Sequence, residues 1–190
     1  MSRSLLLLLV LFLSGCAAMA KIEPGEVKLG EAMTATPDSA WNRLAIGTPK
    51  NTEVWTSDGL PLDRLVFYVG IADGEPLAPL RERSDRQIPK FRAAMPAHEI
   101  VEMYEVFASY DGSTFQRGKL APAQFASSEG FRFEFARVRK GDELDMRGVA
   151  YAAVRGGKLY MLVFEAARTH YYGKHLARAE AVARSVRIGR

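Results

Sequence analysis

The chain has 190 residues, 26 basic against 22 acidic side chains, 48% apolar residues and a single cysteine. A chain of this size buries about 70% of the surface that it exposes when unfolded, enough for one core. No run reaches five or six like charges, which excludes a basic nucleic-acid arm, and one cysteine excludes a disulfide framework.

The first element is a targeting segment. Arg3, the nine apolar residues from Leu5 to Leu13 and the small residues after them have the layout of an export signal. Nine residues rise about 14 Å as a helix, too little for the ~30 Å of hydrocarbon in a bilayer. Leu13, Ser14, Gly15 and Cys16 resemble the lipobox of bacterial lipoproteins at every position. That resemblance implies removal of residues 1–15 and transfer of a diacylglyceryl (palmitate-type) anchor to Cys16. It also implies the outer membrane, facing the periplasm, because Ala17 stands where an aspartate signals inner-membrane retention. Ala18-Met19-Ala20 is the alternative, a small-x-small cleavage site that releases a soluble protein. The position of the only thiol favours the anchor, since a lone thiol is a liability in an oxidising compartment. Residues 16–26 then read as the lipidated cysteine and a short linker, and 27–190 as one globular domain.

In the domain, Thr36 and Pro37 have the form of an N-cap and first helical residue, predicting a short helix through Leu44. "TEVWTSDGLPLDRLVFYVGI" reads as two strands around Asp58-Gly59. Gly74 to Phe91 is a loop with three prolines. Ile100, Met103, Tyr104 and Phe107 have the spacing of an amphipathic helix over Pro96 to Tyr110. "TFQRGKL" predicts a strand and then a loop through Glu129, followed by a strand in which Phe131, Phe133 and Phe135 alternate with Arg132 and Glu134. Met146 to Val154 and Leu159 to Ala167 form a hairpin turning at Gly156-Gly157, apolar on both faces. A closing helix covers about Tyr172 to Val186. Helices around a mostly antiparallel sheet make an α+β fold, an α/β/α sandwich. This order of elements, with its "WT-DG" hairpin, resembles the Mog1/PsbP-like group, which includes small bacterial lipoproteins. The resemblance implies a binding or assembly role by analogy.

Few motifs carry chemistry. "RGGKL" lacks the upstream glycine and the Ser or Thr of a phosphate loop, there is no Gly-x-Ser-x-Gly elbow, and lipidation consumes the only thiol. His170 and His175 are five apart, well off one helical face, and with His98 distant no metal site is expected. No cofactor and no nucleic-acid partner is expected. The densest polar cluster holds Glu165, Arg168, His170, Tyr171, Tyr172 and His175. Glu165 shares strand parity with Met161 and Val163, so a carboxylate lies on an apolar face and needs a partner. Three readings stay open: a ligand-binding rim, a general acid working with His170 on cell-wall or lipid substrates, or a structural pair with Arg132 or Arg147. Trp55 is either an exposed contact or a buried strand tryptophan. The expectation is a lipid-anchored, non-enzymatic module for an envelope protein or small ligand.

Overall fold

Strand segments recur along the chain, and the computed structural model, which describes residues 19–45 and 47–189, assembles eight of them into one large sheet. The lipobox residues Leu13 to Cys16 lie outside the described residues. In chain order the elements are β1 (Met19–Ile22), β2 (Val27–Leu29), β3 (Met33–Ala35), β4 (Trp41–Leu44), β5 (Thr52–Thr56), β6 (Asp63–Ile71), α1 (Ala97–Ala108), β7 (Gln116–Phe125), β8 (Ser128–Val138), β9 (Asp145–Arg155), β10 (Lys158–Ala167), α2 (Tyr171–Ser185) and β11 (Arg187–Ile188). The eight-stranded sheet has the order β1-β4-β5-β6-β10-β9-β8-β7, and a small sheet has the order β11-β3-β2. Neighbouring strands are antiparallel throughout.

Strand β10 shows why both faces are covered: every residue from Leu159 to Ala167 is buried. Met161 and Val163 pack with Val66, Tyr68 and Phe133 beneath Ile100 and Tyr104 of α1. Leu162 and Phe164 point the other way, toward Phe67, Trp55 and the Ala179–Val182 side of α2. Burying an aliphatic or aromatic side chain of this size contributes about 1.5–3 kcal/mol, so the two clusters account for the sandwich. The β9–β10 hairpin turns as expected on Gly156 and Gly157, at φ +57° and +72°.

Four local expectations differ from the structure. Trp41–Leu44 is not helical but forms β4, with Asn42 and Arg43 opposite Thr56 and Trp55. So short a helix does not repay its nucleation, whereas a ladder is available on both sides. One side of that ladder is β1, paired from Met19↔Leu44 to Ile22↔Trp41, so part of the expected linker belongs to the sheet. Strand β7 continues to Phe125 and turns tightly on Ala126 and Ser127, whose φ values of +53° and +60° carry no glycine or asparagine signal. The β5–β6 connection is wider than a tight turn, with Gly59 at φ +114° and its carbonyl accepting from Leu62 and Asp63.

Candidate functional site

Register brings together what the sequence separates. Glu165 on β10 lies opposite Arg64 on β6 and, on its other side, opposite Gly148 on β9. Gly148 is opposite Phe135 of β8, and a Cβ there would stand 2.0 Å from the Phe135 ring, so only glycine lets that ring lie over the strand. Two residues further along β8, Arg137 reaches back to the same carboxylate. Arg64 donates from Nε to Glu165 Oε2 at 2.7 Å, and its Nη2 also contacts that oxygen. Arg137 Nε stands 3.0 Å from Oε1, close enough for an ion pair, but neither atom has an aligned hydrogen bond. Arg137 Nη1 instead donates at 2.7 Å to the carbonyl of Ala108, the last residue of α1, where a cation also suits the helix dipole.

These three charges differ in their access to water. Glu165 is 1% exposed, the Arg137 side chain 7% and the Arg64 side chain 33%. Burial works against the Arg64 charge, but the attraction of Glu165, its hydrogen bond and the neighbouring phenol oxygens together hold the guanidinium above its ordinary pKa. Burial also pushes the phenols of Tyr68 and Tyr104 up, so both stay neutral beside the charges. Arg64 and Arg137 form part of the wall of a pocket of about 770 Å³. The loop Leu80 to Asp85 closes one side and the end of α1, from Phe107 to Asp111, the other. Arg86 pins the loop through Nη1 to the Ser109 carbonyl at 2.9 Å, and Arg83 grips Asp85 with two donors at 3.0 and 3.1 Å.

A second polar cluster lies on the α2 face. Asp63 is fully buried and its carboxylate accepts from Ser57 N, Asp58 N and Thr56 Oγ1, which organises the β5–β6 connection. His175, 2% exposed, has Nε2 at 2.5 Å from Asp58 Oδ2 and Nδ1 at 3.3 Å from a guanidinium nitrogen of Arg178. Arginine only donates, so Nδ1 accepts and Nε2 carries the hydrogen given to Asp58. Asp58, Asp63 and His175 are close enough for a shared cation. However, a metal-bound Nε2 needs Nδ1–H to donate, and here Nδ1 faces a donor. The cluster is a clamp: Arg178 also donates to Ser39 Oγ, Ser57 Oγ and the Ala40 carbonyl, and lies 4.8 Å over the Trp41 ring.

The polar cluster from Glu165 to His175 therefore divides across the sheet. Glu165 faces α1 and takes Arg64 and Arg137, whereas Arg132 serves Tyr151, Glu134 and Glu180, and Arg147 is exposed. Arg168 and His170 are exposed, Arg168 pairing with Asp145 at 3.0 Å and His170 meeting the Tyr171 ring edge-on. Tyr172 stacks on Phe164, on the α2 face. Trp55 is fully buried against Phe67 with its indole N–H on Glu53, so it offers no contact surface.

No protein-family model matches the chain, and no curated protein sequence matches it. Among solved structures, the cyanobacterial PsbP protein CyanoP of Synechocystis superposes with a TM-score of 0.57 at 13% identity, over 92% of this chain and 95% of that one. The Ran-binding protein Mog1p of Saccharomyces cerevisiae superposes at 0.52 and 11% identity, over 90% of this chain and 95% of that one. The chain has the Mog1/PsbP-like α+β fold. At such identities the likeness reaches the fold and stops there. Within that fold, Arg64 and Arg137 are the residues that sequence reasoning missed. Parity gave a signal for one of them: Arg137 continues the Phe131, Phe133, Phe135 row, so a cation lies on the face that carries Glu165.

Proposed function

We propose that this chain is a bacterial envelope lipoprotein, held through acylated Cys16 in the outer membrane and facing the periplasm. Its Mog1/PsbP-like domain acts as a non-enzymatic binding module. One observation carries the binding role: two guanidiniums, fixed by a single buried carboxylate, stand in the wall of an open pocket of about 770 Å³. Pockets of this size are where proteins hold small ligands or a partner's side chains. Each oxygen of Glu165 faces a guanidinium, which suits holding a ligand better than passing it a proton. His170, exposed ahead of α2, is not brought to that carboxylate.

The anchor is supported by the first strand. Cleavage before Cys16 leaves all of β1, whereas cleavage after Ala20 removes Met19 and Ala20, two of its four ladder residues. Three residue steps from Cys16 to Met19 span at most about 11 Å, so the domain sits against its membrane. Two long acyl chains at ~0.8 kcal/mol per buried CH₂ make release negligible.

Two measurements test this reading. Labelled palmitate is expected to enter the wild-type chain and not Cys16→Ser, which should also leave the membrane fraction. A photo-crosslinking residue at Ser84, at the pocket, is expected to give an envelope adduct that the same residue at Lys174 does not give. Unlabelled wild type contradicts the anchor, and equal adducts at both positions contradict the pocket.

A further inference from the structure

The charge around the pocket is unequally spent. Asp85 is taken by both Arg83 and Arg86, while Glu82 and Asp111, whose carboxylate accepts the Ser113 N–H at 2.9 Å, add two more negative charges to the wall. Glu165 is a single negative charge between two positive ones. Among the described residues, Arg64 Nη1 and Arg137 Nη2 donate no hydrogen bond and Arg81 has neither a hydrogen bond nor an ion pair. Arg137 is buried, and its Nε is poorly aligned on Glu165. Arg64, Arg81, Arg83, Arg86 and Arg137 thus stand against Glu82, Asp85, Asp111 and Glu165, one positive charge in excess, and the guanidiniums of Arg64, Arg81 and Arg137 keep N–H donors without a partner at the pocket. Guanidinium forks match the geometry of carboxylate and phosphate oxygens.

We infer that the pocket binds an oxyanion, a carboxylate or phosphate group, whose oxygens take the unused donors of Arg64 and Arg137 while Arg81 closes on it from the loop. This rests on the reading of the pocket as the binding site and names the chemistry of its ligand. Leu80, Phe107 and Tyr110 supply an apolar flank, so the oxyanion belongs to a larger molecule. Two sources have this chemistry: a soluble acid or phosphate ester, and the headgroup of an anionic lipid.

The test is a calorimetric titration of the full lipidated protein in micelles of uncharged detergent. Inorganic phosphate and acetate probe soluble oxyanions, phosphatidylglycerol doped into the micelles probes the headgroup, and choline and glycerol are the comparators. Phosphate or acetate is expected to bind, weaker as salt rises because screening shortens from ~10 Å at 0.1 M to ~3 Å at 1 M. Arg64→Gln and Arg81→Gln should each weaken binding about tenfold or more, as expected when a charge-assisted hydrogen bond to the oxyanion is lost. Lys174→Gln, on the other face, should leave it unchanged. A headgroup ligand is indicated if phosphatidylglycerol binds more tightly than phosphate and shows the same dependence on Arg64. If choline or glycerol binds there better than any oxyanion, the pocket stands as a site and this inference fails. If oxyanion binding survives both arginine substitutions, or no probe binds, the inference fails; a Ser84 adduct that still forms in the envelope keeps the pocket reading alive.

Discussion

On the α2 face, Asp58 and Asp63 accept from five donors between them, and Lys174 and Arg178 are engaged in joining α2 to the β4–β6 edge of the sheet. On the α1 face, one carboxylate serves two guanidiniums, and donors remain beside a pocket. Both arrangements are ionic and partly buried. The first has its charges answered internally and the second leaves one to be answered from outside, which separates the structural clamp from the proposed binding site.

The largest effect that sharpens this contrast is expected at Glu165. Breaking a buried ion pair from one side costs about 3–5 kcal/mol, because the orphaned charge stays buried. Glu165→Ala leaves Arg137 in that position and should lower the urea midpoint accordingly. A loss under about 1 kcal/mol would mean that water already solvates the arginines. Arg178→Ala comes next: it removes several charged hydrogen bonds and the contact with Trp41, and about 2–3 kcal/mol is expected from thermal or urea unfolding.

The need of Glu165 for a partner was legible in the sequence, because its parity with Met161 and Val163 puts a carboxylate among core side chains. The identity of the partner was not. Arg64 is 101 residues away and becomes its neighbour only because the strand order runs β6-β10-β9-β8, which neither composition nor spacing determines. The paired central strands, the middle helix and the closing helix were legible for the same reason as Glu165, since each repeats its apolar period over ten residues or so. The short elements were not. Trp41–Leu44 has cap residues ahead of it and takes its conformation from β1 and β5, and Ala126-Ser127 turns without a turn residue. The sequence places His170 and His175 in one polar cluster, whereas the fold buries His175 in the clamp and leaves His170 exposed.

His175 and His170 therefore make a matched pair. His175→Ala opens a gap between Asp58 and Arg178 and should cost about 1–3 kcal/mol, as for a buried polar group left unpaired, while His170→Ala should stay within about 0.5 kcal/mol. Equal effects would erase the distinction between clamp and rim. A smaller effect is expected with acid. Hydrogen bonds from Lys174 and then His175 hold the Asp58 pKa below its ordinary value. A depressed carboxylate pKa contributes stability that is present above the unfolded value, ~3.9, and is lost as pH falls through the folded one. Asp58 is partly exposed, so the contribution is under about 1 kcal/mol. It should appear as a loss of stability below about pH 4 that Asp58→Asn no longer shows.

The contrast between the faces is tested most directly by following backbone amide resonances of the full chain, in uncharged micelles, while inorganic phosphate is added. Shifts are expected to concentrate on Arg64, Leu80 to Arg86, Ala108 to Asp111 and Arg137, with Asp58 and Lys174 to Arg178 unmoved. Shifts centred on the Asp58–Arg178 clamp, or spread evenly over the surface arginines, would contradict the assignment of binding to the α1 face.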